Sequence, residues 1–336
     1  NSVVEGEVYS TWTRTYFSGH YIPPFLLEPE STVEGKMRTV MSQEEFEQYN
    51  SGSAIEGTHE GVEHDEPSFT EYSTADFDTS AYRTQAANTL AASDDVQVSW
   101  FPDDSNKTRK FDRHNYQGQI FENTYIPAGR NAHFTNCTFR GVLFVETNET
   151  KTLGNWPYNK VRSHHWLQRD RHNTLSNNIV FENCRFEGKI VTAVPREFWW
   201  TKNSMTFTGS TVFDVPAGTD TTILAPNFNI NIGDFNNGDS NSTVDGILVG
   251  GIVDIRDNAE INGTIMSMAD LGDSLGSSIR HYGTNVGYYE GDVEGGYPQV
   301  TSHIRITPQP DNPLPLGIRK RCFARLVSNS YTEAAP

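Results

Sequence analysis

One stretch of the sequence recurs and constrains the fold more than any other feature. Residues 134–145 (FTNCTFRGVLFV) return 47 residues later as residues 181–192 (FENCRFEGKIVT). Five positions, which hold Phe, Asn, Cys, Phe and Gly, are identical in register. A second, offset element repeats as Ile-Pro-Ala-Gly at 126–129 and Val-Pro-Ala-Gly at 215–218. Such self-similarity is typical of a chain wound into stacked turns, each of which buries its inner face against its neighbours.

The composition fits an all-β protein. The chain has 336 residues, which allows one large β domain with appendages or two domains. Its mean hydropathy is −0.57, and it contains 27 Gly together with many Asn, Asp, Ser and Thr. Because these residues favour turns, the mixture is typical of many short strands rather than of helices.

The charge excludes some functions. A formal net charge of −17 disfavours binding to nucleic acid or to an anionic membrane face, since both need clustered Lys and Arg. No stretch approaches 18 consecutive apolar residues, so we predict no membrane-spanning helix. The sequence starts with Asn1 rather than Met. An exported protein starts in this way after its signal or anchor has been removed, and an edited sequence would look the same. We expect an extracellular or cell-surface protein.

The pattern along the chain predicts four regions. Alternating polar and apolar residues predict strands near the N-terminus, and the next region is acidic, with Arg83 as its only Lys or Arg. The repeats lie in the third region, and a proline-containing tail ends the chain. The predicted regions are an N-terminal strand region (1–41), an acidic insert with short helices (42–98), a coil of strands (99–270) and a C-terminal extension (271–336).

Three elements are predicted individually. Ser42 followed by acidic residues is typical of a helix start, and a second short helix is predicted within residues 74–92, on the composition of 84–92. The alternating run at 246–266 gives the strongest strand prediction, with Ile252, Asp254 and Arg256 on one face and the residues between them on the other. The acidic insert is interpreted as a solvated excursion over the body or as a segment that binds cations or a partner.

The Phe-x-Asn-Cys-x-Phe-x-Gly turns, together with the run at 253–265 (VDIRDNAEINGTI), resemble right-handed parallel β-helix proteins. The second segment is similar to the coil repeats of bactofilin-type polymer-forming proteins, and to exported β-helical proteins found with bacterial type IV pilus assembly components. The resemblance covers roughly residues 118–270. It implies a right-handed parallel β-helix. With the regions predicted from the residue pattern, the predicted fold is all-β: a right-handed parallel β-helix with an N-terminal strand region and a mostly irregular, short-helical acidic insert. It does not select a function, because β-helices serve lyases, adhesins, tailspikes and scaffolds alike.

Two of the three cysteines, Cys137 and Cys184, occupy equivalent repeat positions. On adjacent turns of a coil they would lie close together, either as small buried hydrophobic residues or as a disulfide. Both interpretations remain open. A metal site at the cysteines is disfavoured, because no Cys-x-x-Cys motif or nearby pair of histidines accompanies them.

An Asn/Asp/Gly-rich segment offers oxygen ligands for Ca²⁺. Asp234, Asn236 and Asp239 are the candidate ligands, since Ca²⁺ takes six to eight oxygens. The spacing is not that of an EF-hand loop, and runs of this composition also form ordinary turns. Apart from Ca²⁺ we expect no cofactor.

A segment rich in aromatic and histidine residues separates the two main repeats, and loops that leave a regular coil often carry function. Exposed aromatic side chains in it would stack on sugars or anchor a partner, whereas buried ones would cap the coil. Binding of Zn²⁺ or Cu²⁺ by the histidines is a weaker alternative. The candidate residues are Trp156, Trp166, His164, His165 and His172.

These observations favour a non-enzymatic structural or adhesive surface protein, a subunit of a filament, sheath or pilus-associated assembly. We expect it to associate with itself or with other assembly subunits through edge strands and coil ends, because these expose unpaired main-chain groups. The alternative is a carbohydrate-active β-helix, either a polysaccharide lyase or hydrolase or a glycan binder. Hydrolysis needs two carboxylates about 5–10 Å apart, and Asp254 and Asp257 need not face one cleft.

Overall fold

The computed structural model of the chain describes residues 2–5, 8–10, 32–35, 37–39, 41–49, 54–55, 59–61, 73–100, 110–147, 152–153, 156–157, 177–195, 203–215, 222–233, 240–268, 284–286, 304–307 and 317–318. Strands dominate these residues, and helices are few and short. The predicted all-β class is therefore confirmed. No helix in the described ranges is long and apolar enough to cross a membrane.

The elements follow one another in many short segments. The helices are α1 (Gln43–Tyr49), α2 (Ser80–Gln85) and a 3₁₀ turn at Thr74–Asp76. The strands are β1 (Ser2–Val4), β2 (Val8–Ser10), β3 (Thr32–Val33), β4 (Met37–Thr39), β5 (Ala54–Ile55), β6 (His59–Gly61), β7 (Asn88–Thr89), β8 (Val96–Trp100), β9 (Lys110–Gln117), β10 (Ile120–Ile126), β11 (Ala132–Thr135), β12 (Thr138–Val145), β13 (Thr152–Leu153), β14 (Trp156–Pro157), β15 (Asn177–Glu182), β16 (Arg185–Thr192), β17 (Asn203–Thr208), β18 (Val212–Phe213), β19 (Ile223–Leu224), β20 (Asn229–Ile232), β21 (Thr243–Gly250), β22 (Ile252–Ile255), β23 (Glu260–Ser267), β24 (Thr284–Val286) and β25 (Ile304–Thr307).

Most of the strands belong to two large sheets. The first sheet has the order β5-β3-β1-β25-β23-β21-β18-β16-β12-β10-β7, with β19 pairing with β16 and β21. The second has the order β24-β22-β20-β17-β15-β11-β9-β8. All pairs in the first sheet are parallel, and so are those in the second except the antiparallel pair of β8 and β9. Strands β2, β4 and β6 form a small parallel sheet, and β13 with β14 forms a hairpin.

From β9 to β25 the chain passes alternately through the two large sheets, apart from the β13–β14 hairpin and the consecutive strands β18 and β19. Each pass therefore adds one parallel strand to each sheet, and we call the result the stack. The predicted repeats lie on neighbouring passes in register, since Phe134 pairs with Phe181 and Gly141 with Gly188. The repeat thus places identical side chains directly over one another.

Two columns of aromatic rings fill the core between the sheets. One column runs along the second sheet and the other along the first, with neighbouring rings 4.4–5.4 Å apart and stacked. Rings of one column meet rings of the other edge-on, an arrangement that the charge distribution of aromatic rings favours. The columns are Tyr116, Phe134, Phe181 and Phe207 in the second sheet and Phe121, Phe139, Phe186 and Phe213 in the first.

The repeated asparagines turn the chain from one sheet to the other. Asn136 and Asn183 have φ values of 54° and 53°, in the left-handed region that Asn tolerates better than most residues. The Asn183 Oδ1 accepts a hydrogen bond of 2.8 Å from the backbone N–H of Ser210 on the next pass. The Asn of the motif is therefore a corner residue that also joins adjacent passes.

Residues 77–86 cover part of the outer face of the first sheet. Phe77, Tyr82 and Ala86 belong to a second apolar cluster, whose sheet members are Val142, Phe144, Val191, Leu224, Ile247 and Val249. Helix α2 ends at Gln85, and the predicted second helix over 84–92 is wrong for the remaining residues. Asn88 and Thr89 instead pair with β10 as strand β7, because pairing there satisfies their backbone groups.

The N-terminal strands continue the stack beyond its last strand in sequence. Strand β1 pairs with β25, β3 with β1, and β5 with β3. The two large sheets therefore include strands on both sides of the predicted coil bounds of 99–270. Beside them, Val33, Met37, Met41 and Phe46 form a small separate core.

Two other expectations have definite outcomes. Helix α1 begins where predicted, and the Ser42 Oγ accepts a hydrogen bond of 3.1 Å from the N–H of Glu45. The run at 246–266 is extended as predicted, but it forms parts of three strands in two sheets. All four residues of β22 are buried, so both of its faces are covered.

Candidate association surface

The strands at one end of the stack form a surface that we call the β8 end: β7, residues 90–95, β8 and the adjoining edge of β10. Residues 90–95 connect β7 in the first sheet to β8 in the second, across the end of the core. The Tyr116 hydroxyl donates to the Ala91 carbonyl at 2.6 Å, and His114 Nδ1 lies 2.8 Å from the Ser93 carbonyl. These contacts hold the crossing segment against the last pass of the stack.

The β8 end carries the large apolar side chains that the described residues leave exposed. These are Val96 and Val98 on β8, with 40% and 37% exposure, and Ile120 on β10, with 59%. Elsewhere in the described part of the chain, side chains of this kind are at least partly buried. An apolar end on an otherwise polar, acidic protein is typical of a contact surface.

Half of β10 also lacks a neighbouring strand on this side. Asn88 and Thr89 pair with Thr124 and Tyr125 only, so the described strands leave Ile120–Glu122 unpaired at the outer edge. The Asn88 side chain donates to the Glu122 carbonyl at 2.7 Å, which satisfies one acceptor of this edge. Unpaired strand edges are templates for the addition of another strand.

A groove of about 540 Å³ runs beside this edge. Residues of β7, of β10 and of the segment after β7 form its walls, and Arg140 lies at its rim. The lining residues are Asn88, Thr89, Leu90, Ala91, Ile120, Phe121, Glu122, Thr124 and Arg140.

Charged groups at the rim are paired with each other. The Arg140 guanidinium donates from Nε to Glu187 at 2.8 Å and lies 3.7 Å from Glu122. The hydrogen bond with Glu187 raises the pKa of Arg140, and it lowers the pKa of Glu187. The rim therefore presents matched charges beside an apolar edge, rather than a charged site.

The opposite end of the stack is formed by β5 in the first sheet. No described strand pairs with the outer edge of β5. Because every strand of the first sheet is parallel, its two outer edges are complementary. Strand β5 of another copy fits the open edge of β10 as the next parallel strand.

The structure brings together one set of predicted site residues, the cysteines. Cys137 and Cys184 are buried, and both are free, so the disulfide interpretation does not describe this structure. The Cys184 Sγ donates to the Phe134 carbonyl at 3.3 Å, and the Cys137 Sγ to the Thr135 carbonyl at 3.4 Å. Interaction with Cys137 and burial raise the pKa of Cys184, so it stays a thiol at neutral pH. The pair fills the corner beside the aromatic columns.

The other predicted site residues are not assembled by the described part of the structure. Trp156 lies in β14, opposite Leu153 of β13. Trp166, His164, His165 and His172 lie outside the described residues, and so do the calcium candidates Asp234, Asn236 and Asp239. Within the described residues, no group of three or more His, Cys, Asp and Glu side chains is placed to hold a metal ion.

The carboxylates considered for hydrolysis are both buried. Asp254 lies in β22 with 8% exposure, and Asp257 follows that strand at a positive φ of 58°, with 2% exposure. Neither carboxylate is presented at the surface of the stack.

Sequence reasoning did not single out the residues of the β8 end. Val96 and Val98 alternate with polar residues, as on a half-buried strand, whereas Ile120 stands next to a second apolar residue, Phe121. The alternation predicts a strand, but a strand at the end of a stack has the same alternation as one in its middle. Only the pairing partners distinguish the two positions.

Comparisons with known proteins identified no relative of the chain. No family model, curated protein or solved structure matches the chain significantly. The resemblance to bactofilin-type and pilus-associated β-helical proteins therefore stays a prediction.

Proposed function

We propose that the chain is a parallel β-helix, right-handed as in the proteins that it resembles, and that it acts as an exported structural or adhesive component of a cell surface. The alternation of the strands between two parallel sheets supports the β-helix assignment. The in-register stacking of the repeats supports it as well. In such a fold each pass is stabilised by its neighbours, and the end passes lack one neighbour.

The observation that carries the functional proposal is the composition of the β8 end. The exposed Val96, Val98 and Ile120 lie beside the unpaired edge of β10. The occupant is a second copy of the chain, because the outer edge of β5 is parallel to β10 and offers the complementary row of main-chain groups. Backbone pairing would give the attraction, and burial of the three apolar side chains would add to it.

This contact joins two different surfaces of the chain, so it is heterologous. Such contacts produce either a closed ring or an open filament, depending on the rotation between copies. Repeated along the stack axis, it generates a filament. A filament, a sheath or a pilus-associated assembly is accordingly the setting that we propose. Binding of other assembly subunits at the same edge, and bridging of copies by Ca²⁺ through acidic residues, are further parts of the proposal.

The test is the distribution of molar mass in solution, measured by light scattering over a range of protein concentrations. We expect oligomers or polymers whose mass rises with concentration. Ile120→Lys, alone and combined with Val98→Lys, should shift the distribution to monomer, because each places a charge where an apolar contact forms. Added Ca²⁺ followed by EDTA tests whether the assembly depends on calcium.

Thr264→Lys is the matched control, since Thr264 is an exposed strand residue in the middle of the first sheet. This variant should assemble like the unmodified chain. The proposal fails if the unmodified chain is monomeric at every concentration with and without Ca²⁺. It also fails if Ile120→Lys assembles as well as Thr264→Lys. In either case glycan arrays and lyase assays would test the carbohydrate-active alternative.

A further inference from the structure

The outer face of the second sheet, opposite the aromatic columns, carries a polar cluster that we call the Arg113 cluster. It consists of Arg113 and Asn115 on β9, His133 on β11, and Asn178 and Glu182 on β15. In the register of the sheet, Asn115 lies directly beside His133. The five side chains therefore come from three adjacent strands and share one face.

Arg113 is a partly buried cation to which no carboxylate of the described residues is paired. Its Nη2 donates to the Asn178 Oδ1, and its guanidinium carbon lies 5.1 Å from the centre of the Phe111 ring. Its Nε–H is buried and has no hydrogen-bond partner among the described residues. Burial lowers the pKa of Arg113 to about 10, and no carboxylate contributes to that shift. The side chain is thus still charged at neutral pH, in a place where an isolated charge is unfavourable.

Asn115 adds an unpaired acceptor to the same place. Its Oδ1 is buried, and the described part of the chain supplies no hydrogen-bond partner for it. Buried polar atoms without partners are rare in folded proteins, and each needs an explanation. Here an unpaired donor and an unpaired acceptor lie two residues apart on one strand, facing the same way. Together they have the hydrogen-bonding pattern of a site built for a ligand.

The nearby carboxylate is already engaged. The Glu182 Oε2 lies 2.8 Å from His133 Nε2, so the neutral imidazole donates its Nε2–H to Glu182. Burial lowers the pKa of His133, Glu182 opposes that effect, and the positive charge of Arg113 adds to it. A neutral His133 bound to Glu182 leaves the charge of Arg113 for another partner.

We propose that the Arg113 cluster binds a small monoanionic carboxylate that carries a neighbouring hydroxyl group. The carboxylate accepts from the Nε–H of Arg113, and the hydroxyl donates to the Oδ1 of Asn115. The guanidinium of Arg113 carries one positive charge and so matches a single negative charge, whereas a phosphate dianion would bring excess negative charge close to Glu182. Arginine is suited to this role because its fixed N–H geometry matches the carboxylate group.

The test uses glycolate as the probe, with acetate as the matched carboxylate that lacks the hydroxyl. The ring signals of His133 are followed by NMR at constant ionic strength, up to about 100 mM ligand, because so small a ligand binds weakly. We expect saturable shifts, with glycolate binding roughly 2- to 10-fold more tightly than acetate, as one neutral hydrogen bond provides. Inorganic phosphate should bind more weakly than glycolate.

Two variants separate the roles of the contacts. Arg113→Gln should abolish saturable binding of both acids. Asn115→Ala should leave acetate binding intact and reduce the ratio of glycolate affinity to acetate affinity to about one. Arg140→Gln is the control, since Arg140 is an exposed arginine on the first sheet that is already paired with Glu187. It should bind both acids as the unmodified chain does.

Three results would overturn the proposal: no saturable shift with glycolate, unchanged binding by Arg113→Gln, or an unchanged preference in Asn115→Ala. Circular dichroism establishes that each variant is folded. If Arg113→Gln does not fold, Arg113→Lys keeps the positive charge without the Nε–H, and Asn115→Ala still decides the matter. Arg113→Lys should weaken binding of both acids at least 10-fold, and binding at full strength would refute the assigned contact.

Discussion

The middle of the stack and the N-terminal strands pair in the same parallel manner, but they are held together differently. Strands β12 and β16 are eight residues long and pair along their whole length. Strands β1 to β6 have two or three residues each. The middle contains the repeats and most of the two aromatic columns, and the sequence motif of those repeats does not recur in the N-terminal strands.

The difference shows what the repeat contributes. Identical residues at equivalent positions place rings over rings and glycines over glycines, so one register is favoured over all others. The N-terminal strands join β25 through three residue pairs, one ion pair and a hydrogen bond from the Thr307 hydroxyl to Glu5. Their attachment therefore depends mainly on backbone pairing, and we expect them to open at a lower free energy than the middle.

The largest expected effect comes from removing a ring in the middle. Phe181 is fully buried and is stacked between Phe134 and Phe207 at 5.4 and 5.1 Å. Phe181→Ala should lower the free energy of unfolding by about 3–5 kcal/mol, because it removes the ring and leaves a cavity. Urea unfolding followed by circular dichroism measures the loss.

Phe121 provides the comparison for that substitution. It ends its column beside the β8 end and is only partly buried. Phe121→Ala should therefore cost clearly less than Phe181→Ala. Equal losses at the two positions would mean that the columns do not concentrate stability in the middle.

The next effect concerns the close approach of two strands. A Cβ added at Gly188 would lie 2.0 Å from the carbonyl oxygen of Gly141 on the neighbouring strand. Since backbone atoms cannot rotate away, Gly188→Ala should lower the free energy of unfolding by about 3 kcal/mol. Gly118, with φ of 62° and open space around its Cα, is the control. Gly118→Asn should be nearly neutral in the same urea titration, and a tolerated Gly188→Ala would contradict the packing argument.

A smaller effect is expected at the corner asparagine. Asn183→Ala should cost roughly 2 kcal/mol, because alanine is disfavoured at φ of 53° and cannot accept from the Ser210 N–H. Asn183→Gly loses the same hydrogen bond but fits the backbone, so it should cost less. Thermal unfolding of the two variants measures the difference. A glycine variant less stable than the alanine variant would show that backbone conformation is not what selects Asn here.

The same comparison explains how much could be predicted from the sequence. The pairing of Phe134 with Phe181 and of Phe139 with Phe186 was predictable, because equal positions in a repeat stack when the turns are regular. The position of β1 beside β25 was not, since pairing between the two ends of a chain leaves no periodic signal. Residues 88–92 were predicted as helix from local composition, but pairing of β7 with β10 overrides that preference.

The candidate sites were less predictable than the fold. Val96 and Val98 show the alternation of ordinary strand residues, and only their position at an end leaves them exposed. The Arg113 cluster combines residues from three passes, and all of them except Glu182 lie outside the two repeated segments, so no motif joins them in the sequence. The cysteines were the exception, because the repeat itself placed Cys137 and Cys184 in equivalent positions.

The smallest expected effect tests the attachment of the N-terminal strands. Arg305 donates to Glu5 at 2.5 Å across the junction of β25 and β1, and its side chain is 61% exposed. Arg305→Gln should weaken this junction by less than about 1 kcal/mol, because water and salt screen an exposed ion pair. Hydrogen exchange should show up to about 5-fold faster exchange of the Glu5 amide, which donates to the Ile306 carbonyl, and no change in β12. Glu5→Gln should give the same pattern, and the effect of both variants should shrink at high salt. Faster exchange throughout the stack would mean that the ends and the middle unfold as one unit, and the contrast between them would then be one of strand length alone.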